Sequence, residues 1–101
     1  MKRTTSLRQS AHGKQCLVRL PGICNHDPAT VVAAHLRRAG MAGTGCKPAD
    51  ILTVRACHNC HREIDRETHY LDQHELDSYV LDALCRTLLT YEKEGLIHVG
   101  H

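Results

Sequence analysis

Cys57-His58-Asn59-Cys60-His61 is the stretch on which the reading of this chain turns. Cys-x-x-Cys sets two thiolates one turn apart, the bite that a single zinc ion needs. A histidine directly follows the second thiolate, so one short element can hold a structural metal and aim an imidazole elsewhere. The use made of that imidazole separates a catalytic centre from an inert zinc finger.

A tetrahedral site needs two further ligands. Cys16 and Cys24 flank the Pro21-Gly22 turn with seven residues between them, and a strand–turn–strand excursion of that length brings its ends together. Cys46 competes for the third place but sits alone in a glycine-rich loop. Cys16, Cys24, Cys57 and Cys60 are therefore expected to close one four-thiolate zinc site, structural because it keeps no open position. Cys85 reads as a small core residue. Disulfides are the rival reading of six cysteines. Met1 to Ser6 leads into no apolar signal segment, and no transmembrane span appears. The expected setting is the cytoplasm, where thiols stay reduced. A thiol-exchange protein is disfavoured because no βαβ pattern surrounds the Cys-x-x-Cys.

At 101 residues, with no Phe, no Trp and three Tyr, the chain has room for one core and lacks large aromatic anchors. A structural metal is the natural supplement. The net charge of +2 conceals an asymmetry. Residues 1–62 hold ten Lys or Arg against Asp27 and Asp50, whereas residues 63–101 hold three against nine acids. A basic half backed by an acidic half suits a polyanionic partner.

Residues 1–13 read as a basic, flexible arm, and 14–101 as one zinc-containing domain. Gln15 to Leu20 alternates as a short strand; Thr30 to Leu36 and Ile51 to Ala56 are two more. Residues 37–50, with Gly40, Gly43, Gly45 and Pro48, form an irregular loop. His61, Ile64, Asp65, Thr68 and His69 fall at helical spacing from the second thiolate onward. Leu76, Val80, Ala83, Leu84, Thr87, Leu88 and Tyr91 make one apolar stripe of a helix over about 73–94, stopped by Gly95. That long helix also offers a face for pairing with a copy of itself.

Ala34-His35, Asp50 and Cys57-x-x-Cys60-His61 occur in the order of an HNH (His-Me finger) nuclease. The chain as a whole resembles the small prophage-encoded YbcO-like nucleases. The likeness is carried by Cys16-Leu-Val-Arg-Leu-Pro-Gly-Ile-Cys24, Ala34-His35-Leu36-Arg37, Ala39-Gly40, Gly43-Thr44-Gly45, Lys47-Pro48-x-Asp50, and Cys57-x-x-Cys60-His61-x-x-Ile64-Asp65-Arg66-x-Thr68-His69. The resemblance implies an α+β fold: a zinc-stabilised ββα-metal, HNH-like finger over about 30–70, followed by the long C-terminal amphipathic helix. It implies a catalytic set in which His35 is the general base, Asp50 orients it from the loop, and His61 binds a divalent metal at the scissile phosphate. Asp65, one helical turn beyond His61, is a second candidate ligand. Two positions depart from the family motif. Ala34 stands where many such enzymes carry a metal-binding Asp or His, and Asp50 where Asn is usual. The catalytic metal is thus expected to have few protein ligands.

Phosphodiester cleavage requires an activated water and stabilisation of charge on phosphorus and on the departing 3′ oxygen. A neutral imidazole is suited to the proton transfer, and a hard cation such as Mg2+ to the oxygens. Arg37, Arg38 and Lys47 lie in the loop beside His35, and Arg55 and Arg62 on the finger; all five are expected to grip phosphates. The expected partner is nucleic acid, DNA in the first place. The alternative is a non-catalytic zinc module that binds nucleic acid or a protein through its basic half.

Overall fold

The computed structural model describes residues 6–37 and 49–98. Cys46, Arg38, Lys47, the three loop glycines and the first five residues of the expected arm lie outside the described residues. Among the described residues six elements follow in order: helix α1 (Ser6–Ser10), a short 3-10 helix (Pro28–Thr30), strand β1 (Val32–His35), strand β2 (Thr53–Ala56), helix α2 (His58–Ile64) and helix α3 (Gln73–Lys93). The result is a small α+β fold, a two-stranded sheet with helices.

β-Branched Val32 and Val54 and the small Ala33, Ala34 and Ala56 suit a compact hairpin. β1 and β2 pair antiparallel in the register Val32↔Ala56, Ala33↔Arg55, Ala34↔Val54 and His35↔Thr53. Leu36 N–H donates to Leu52 C=O at 2.9 Å, extending the ladder just beyond the strands. All four β2 residues are buried, while β1 keeps one fully buried position, Ala34. The hairpin thus turns Ala34 into the core at 1% exposure and leaves His35 at its edge.

α2 begins where Cys57 caps it: the Cys57 sulfur accepts the Cys60 N–H at 3.4 Å. The helix ends at Ile64 rather than running to His69, because Arg66 turns left-handed (φ 60) and the chain folds back over Glu63. Glu63 is fully buried and accepts hydrogen bonds from the Thr68 hydroxyl, Tyr70 N–H (3.2 Å) and Leu71 N–H (2.8 Å). A buried carboxylate requires such partners. Burial opposes its ionisation, but these donors and the nearby Arg66 together hold it below the usual carboxylate range.

α3 is capped by Asp72, which accepts the Glu75 N–H at 2.8 Å, and ends at Glu94 before Gly95 (φ 74). Leu76, Val80, Ala83, Thr87 and Tyr91 are its buried stripe, packed over β2; Leu84 and Leu88 are half-buried at its border. Cys85 lies outside that stripe and is exposed, correcting its expected core placement.

Two N-terminal expectations are also corrected. Residues 15–20 form no strand, because the chain bends around Cys16: Arg19 adopts φ 52 and its N–H reaches the Cys16 sulfur at 3.5 Å. Residues 6–13 are not a loose arm. α1 packs on β1, Ala11 is fully buried in the core, and the Ser10 hydroxyl accepts from Arg55 Nη2 at 2.9 Å.

Candidate active site and metal centre

The bend at Cys16, the turn at Cys24 and the start of α2 bring four sulfurs together. The Sγ atoms of Cys16, Cys24, Cys57 and Cys60 all lie within 4.8 Å of one another, and those of Cys24 and Cys57 are 3.7 Å apart. Zinc–thiolate bonds of about 2.3 Å in a tetrahedron separate sulfurs by about 3.8 Å. Backbone N–H groups of Arg19, Asn25, His26 and Cys60 point at these sulfurs at 3.4–3.5 Å, as suits thiolate acceptors. Hydrogen bonding from Cys60 pulls the Cys16 thiol down to about 4. Burial, with Cys16 nearby, pushes Cys24 up to about 11, and the bond to Cys16 and burial push Cys60 up. Four thiolates so close repel unless a cation joins them. The set can hold a metal ion and is compatible with zinc.

At the end of β1, His35 meets Asp50, with Nε2 2.7 Å from Oδ1. The histidine side chain is 10% exposed. Thr53, paired with His35 across the hairpin, donates its hydroxyl to Asp50 C=O at 2.7 Å and so fixes the carboxylate's backbone. On α2, His61 Nε2 and Asp65 Oδ2 are 3.1 Å apart, one turn from each other. That is the spacing of an i,i+4 ion pair, and imidazole and carboxylate are both donor types that a divalent cation can take.

These groups share a surface. A cleft of about 320 Å3 is lined by Arg8, Val32, Ala33, His35, Arg37, His61 and Asp65. His35, Arg37 and Asp65 also line a neighbouring chamber of about 420 Å3. The expected trio is therefore only partly grouped: His35 and His61 line one cleft, with Asp50 bonded behind His35.

The basic residues separate. Arg37 lines the cleft, and Arg62 lies on another concavity with Asn59 and Tyr70. Arg55 is turned inward, against its expected phosphate role. It is 2% exposed, forms a fork to Glu94 at 2.7 and 3.1 Å, and lies 5.4 Å from the Tyr91 ring centroid. Its guanidinium ties β2 to α1 and to the end of α3. Sequence reasoning missed Arg8 in the cleft and Glu63 beneath the turn after α2. Arg8 gave no signal, since a five-residue helix is too short for readable periodicity.

The cleft and cysteine cluster together invite comparison with known proteins. Residues 5–96 match the family model described as "Putative nuclease YbcO". The chain belongs to the YbcO family. "Putative nuclease YbcO" of Escherichia coli (strain K12) is 46% identical over 91 residues, spanning 90% of this chain and 95% of that relative. "Putative nuclease ybcO" of Enterobacteria phage 82 is similar to the same extent. A solved structure, that of a "putative bacteriophage protein" from E. coli K-12 MG1655, superposes with a TM-score of 0.76 at 40% identity. It covers 89% of this chain and all of its own. The matched span takes in every described residue of the YbcO-family cleft and all four clustered cysteines.

Proposed function

We propose that the chain is a divalent-metal-dependent endonuclease of the HNH type that hydrolyses phosphodiester bonds, DNA first among its substrates. The observation that carries this reading is the His35–Asp50 pair at 2.7 Å, on a cleft that also holds His61 and Asp65. Membership of a family named for nuclease activity supports it.

Asp50 is an acceptor when ionised, so His35 Nε2 carries the proton and Nδ1 is left as the basic nitrogen. His35 would take the proton of the attacking water, while Asp50 orients the ring and stabilises the imidazolium as it forms. His61 and Asp65 would hold a hard cation such as Mg2+, which when bound neutralises developing charge on the phosphate and the departing oxygen. Arg8 and Arg37 would bind the flanking phosphate oxygens. Cys16, Cys24, Cys57 and Cys60 would hold a structural zinc, and because Cys57 caps α2, that zinc would set the position of His61.

The test is supercoiled plasmid incubated with Mg2+ or Mn2+. Nicking or linearisation is expected, with His35→Ala inactive yet retaining one equivalent of zinc. Binding without cleavage across several metals overturns the enzyme reading. Ala34, buried where related motifs place a ligand, favours the second reading, a non-catalytic zinc module that binds nucleic acid.

A further inference from the structure

The chamber beside the cleft has no role in the chemistry described so far. It measures about 420 Å3, within the size range of small-ligand sites. Its lining combines the apolar Leu36, Ile64, Leu76 and Val80 with the cations Arg37 and Arg66. The Arg66 guanidinium is fixed by the Leu71 carbonyl at 3.0 Å and by His69 Nδ1 at 2.9 Å, so its plane is preset. In the same lining Gln73 Nε2 donates to Asp77 Oδ1 at 2.8 Å, an amide–carboxylate pair able to meet the edge of a heterocycle. The chamber joins the cleft at His35, Arg37 and Asp65, where the reacting phosphate belongs under the nuclease reading.

Apolar side chains, a flat cation held in place and an amide–carboxylate pair, in a chamber that shares His35, Arg37 and Asp65 with the cleft, suit a nucleobase. A base stacked and paired within a duplex cannot enter such a chamber while its phosphate lies in the cleft; it must first leave the stack. We propose that the chamber receives the base of an unpaired nucleotide adjoining the cleaved phosphate, so that the substrate is single-stranded or locally unpaired nucleic acid. This rests on the nuclease reading for the place of the phosphate. The recognition itself is a binding event and is measurable without catalysis.

The experiment uses the full chain with zinc bound and Mg2+ replaced by Ca2+, and oligonucleotides carrying 2-aminopurine at successive single positions, as DNA and as RNA. Fluorescence is expected to rise about threefold at one position, with single strands bound about tenfold more tightly than duplex, the scale of one base stacked on a side chain. Gln73→Trp, at an exposed position of the chamber lining, is expected to remove both effects, while Leu81→Trp, exposed on the same helix and outside that lining, leaves both unchanged. The wild-type fluorescence decides alone if Gln73→Trp fails to fold. Quenched probe at every position overturns the proposal, as does equal affinity for duplex and single strand. A fluorescence rise in a protein that cuts nothing with any metal sinks the nuclease reading and retains the chamber. Cleavage with a silent probe does the reverse.

Discussion

At His35 the two ring nitrogens are chemically unequal, because Nε2 is committed to Asp50 at 2.7 Å. His35→Ala is expected to slow single-turnover cleavage by about 10²- to 10⁴-fold, the usual worth of a positioned general base. Asp50→Asn keeps an acceptor but loses the charge, and a loss of about tenfold with an altered pH–rate profile is expected. An unchanged profile would remove Asp50 from any link with the base. Arg8→Ala should weaken substrate binding, with Arg8→Lys restoring part of it, as measured by titration of a labelled strand. Arg55 and Glu94 make a different residue-scale prediction. The Arg55 guanidinium holds Glu94 below the usual carboxylate range, so the folded state favours the ionised form. Its stabilisation is complete above the ordinary carboxylate pKa of 4.5 and is lost as pH falls through the lower folded value. Glu94→Gln should therefore be destabilising by about 2 kcal/mol at pH 7, where a buried Arg55 loses its counter-charge, with the loss shrinking as pH falls through that lower folded value. A loss that does not change with pH would mean that packing, not charge, is responsible. Arg55 was not legible in the sequence. Its partner is 39 positions away, and an arginine on a strand reads as exposed until a helix covers both faces.

The elements show where local signals suffice. α3 was readable almost to the residue because its cap at Asp72, its apolar period and Gly95 all agree. The cysteine set was readable because spacing restricts which thiols can meet. The segment from Gln15 to Leu20 misled, since alternation along a chain does not reveal that a sulfur will bend it. The end of α2 misled for a related reason: helical spacing continued to His69, but Glu63 captured the backbone of Tyr70 and Leu71 instead. Glu63→Ala should cost about 2 kcal/mol by leaving buried donors unpaired, read out by urea unfolding. Proteolysis at residues 65–71 should accelerate in the same variant. A loss confined to a few tenths of a kcal/mol would show that solvent replaces the carboxylate easily.

Across the whole molecule, where Phe and Trp are absent, a small aliphatic core and Tyr91 are joined by four cysteines placed to hold a metal ion. The four cysteine sulfurs lie within 4.8 Å of one another, and no described helix is long and apolar enough to cross a membrane. Removing zinc with a strong chelator should lower Tm in a metal-dependent way, by an amount equivalent to about 2.7 kcal/mol at a hundredfold excess of metal over Kd. A Tm indifferent to chelator would leave the four cysteines as packing residues. The hairpin has one further consequence. Its two ends are pinned at the base, by Leu36 to Leu52, by Thr53 to Asp50 and by Thr53 to the Tyr91 hydroxyl at 2.7 Å. The contacts that seat His35 against Asp50 thus come from residues 36, 50, 52, 53 and 91, on the two strand ends and on α3. Under the proposed nuclease reading, replacing residues 39–48 with those of a relative should therefore leave the single-turnover cleavage rate within about twofold, whereas Thr53→Val, which removes two of those hydrogen bonds, should lower it.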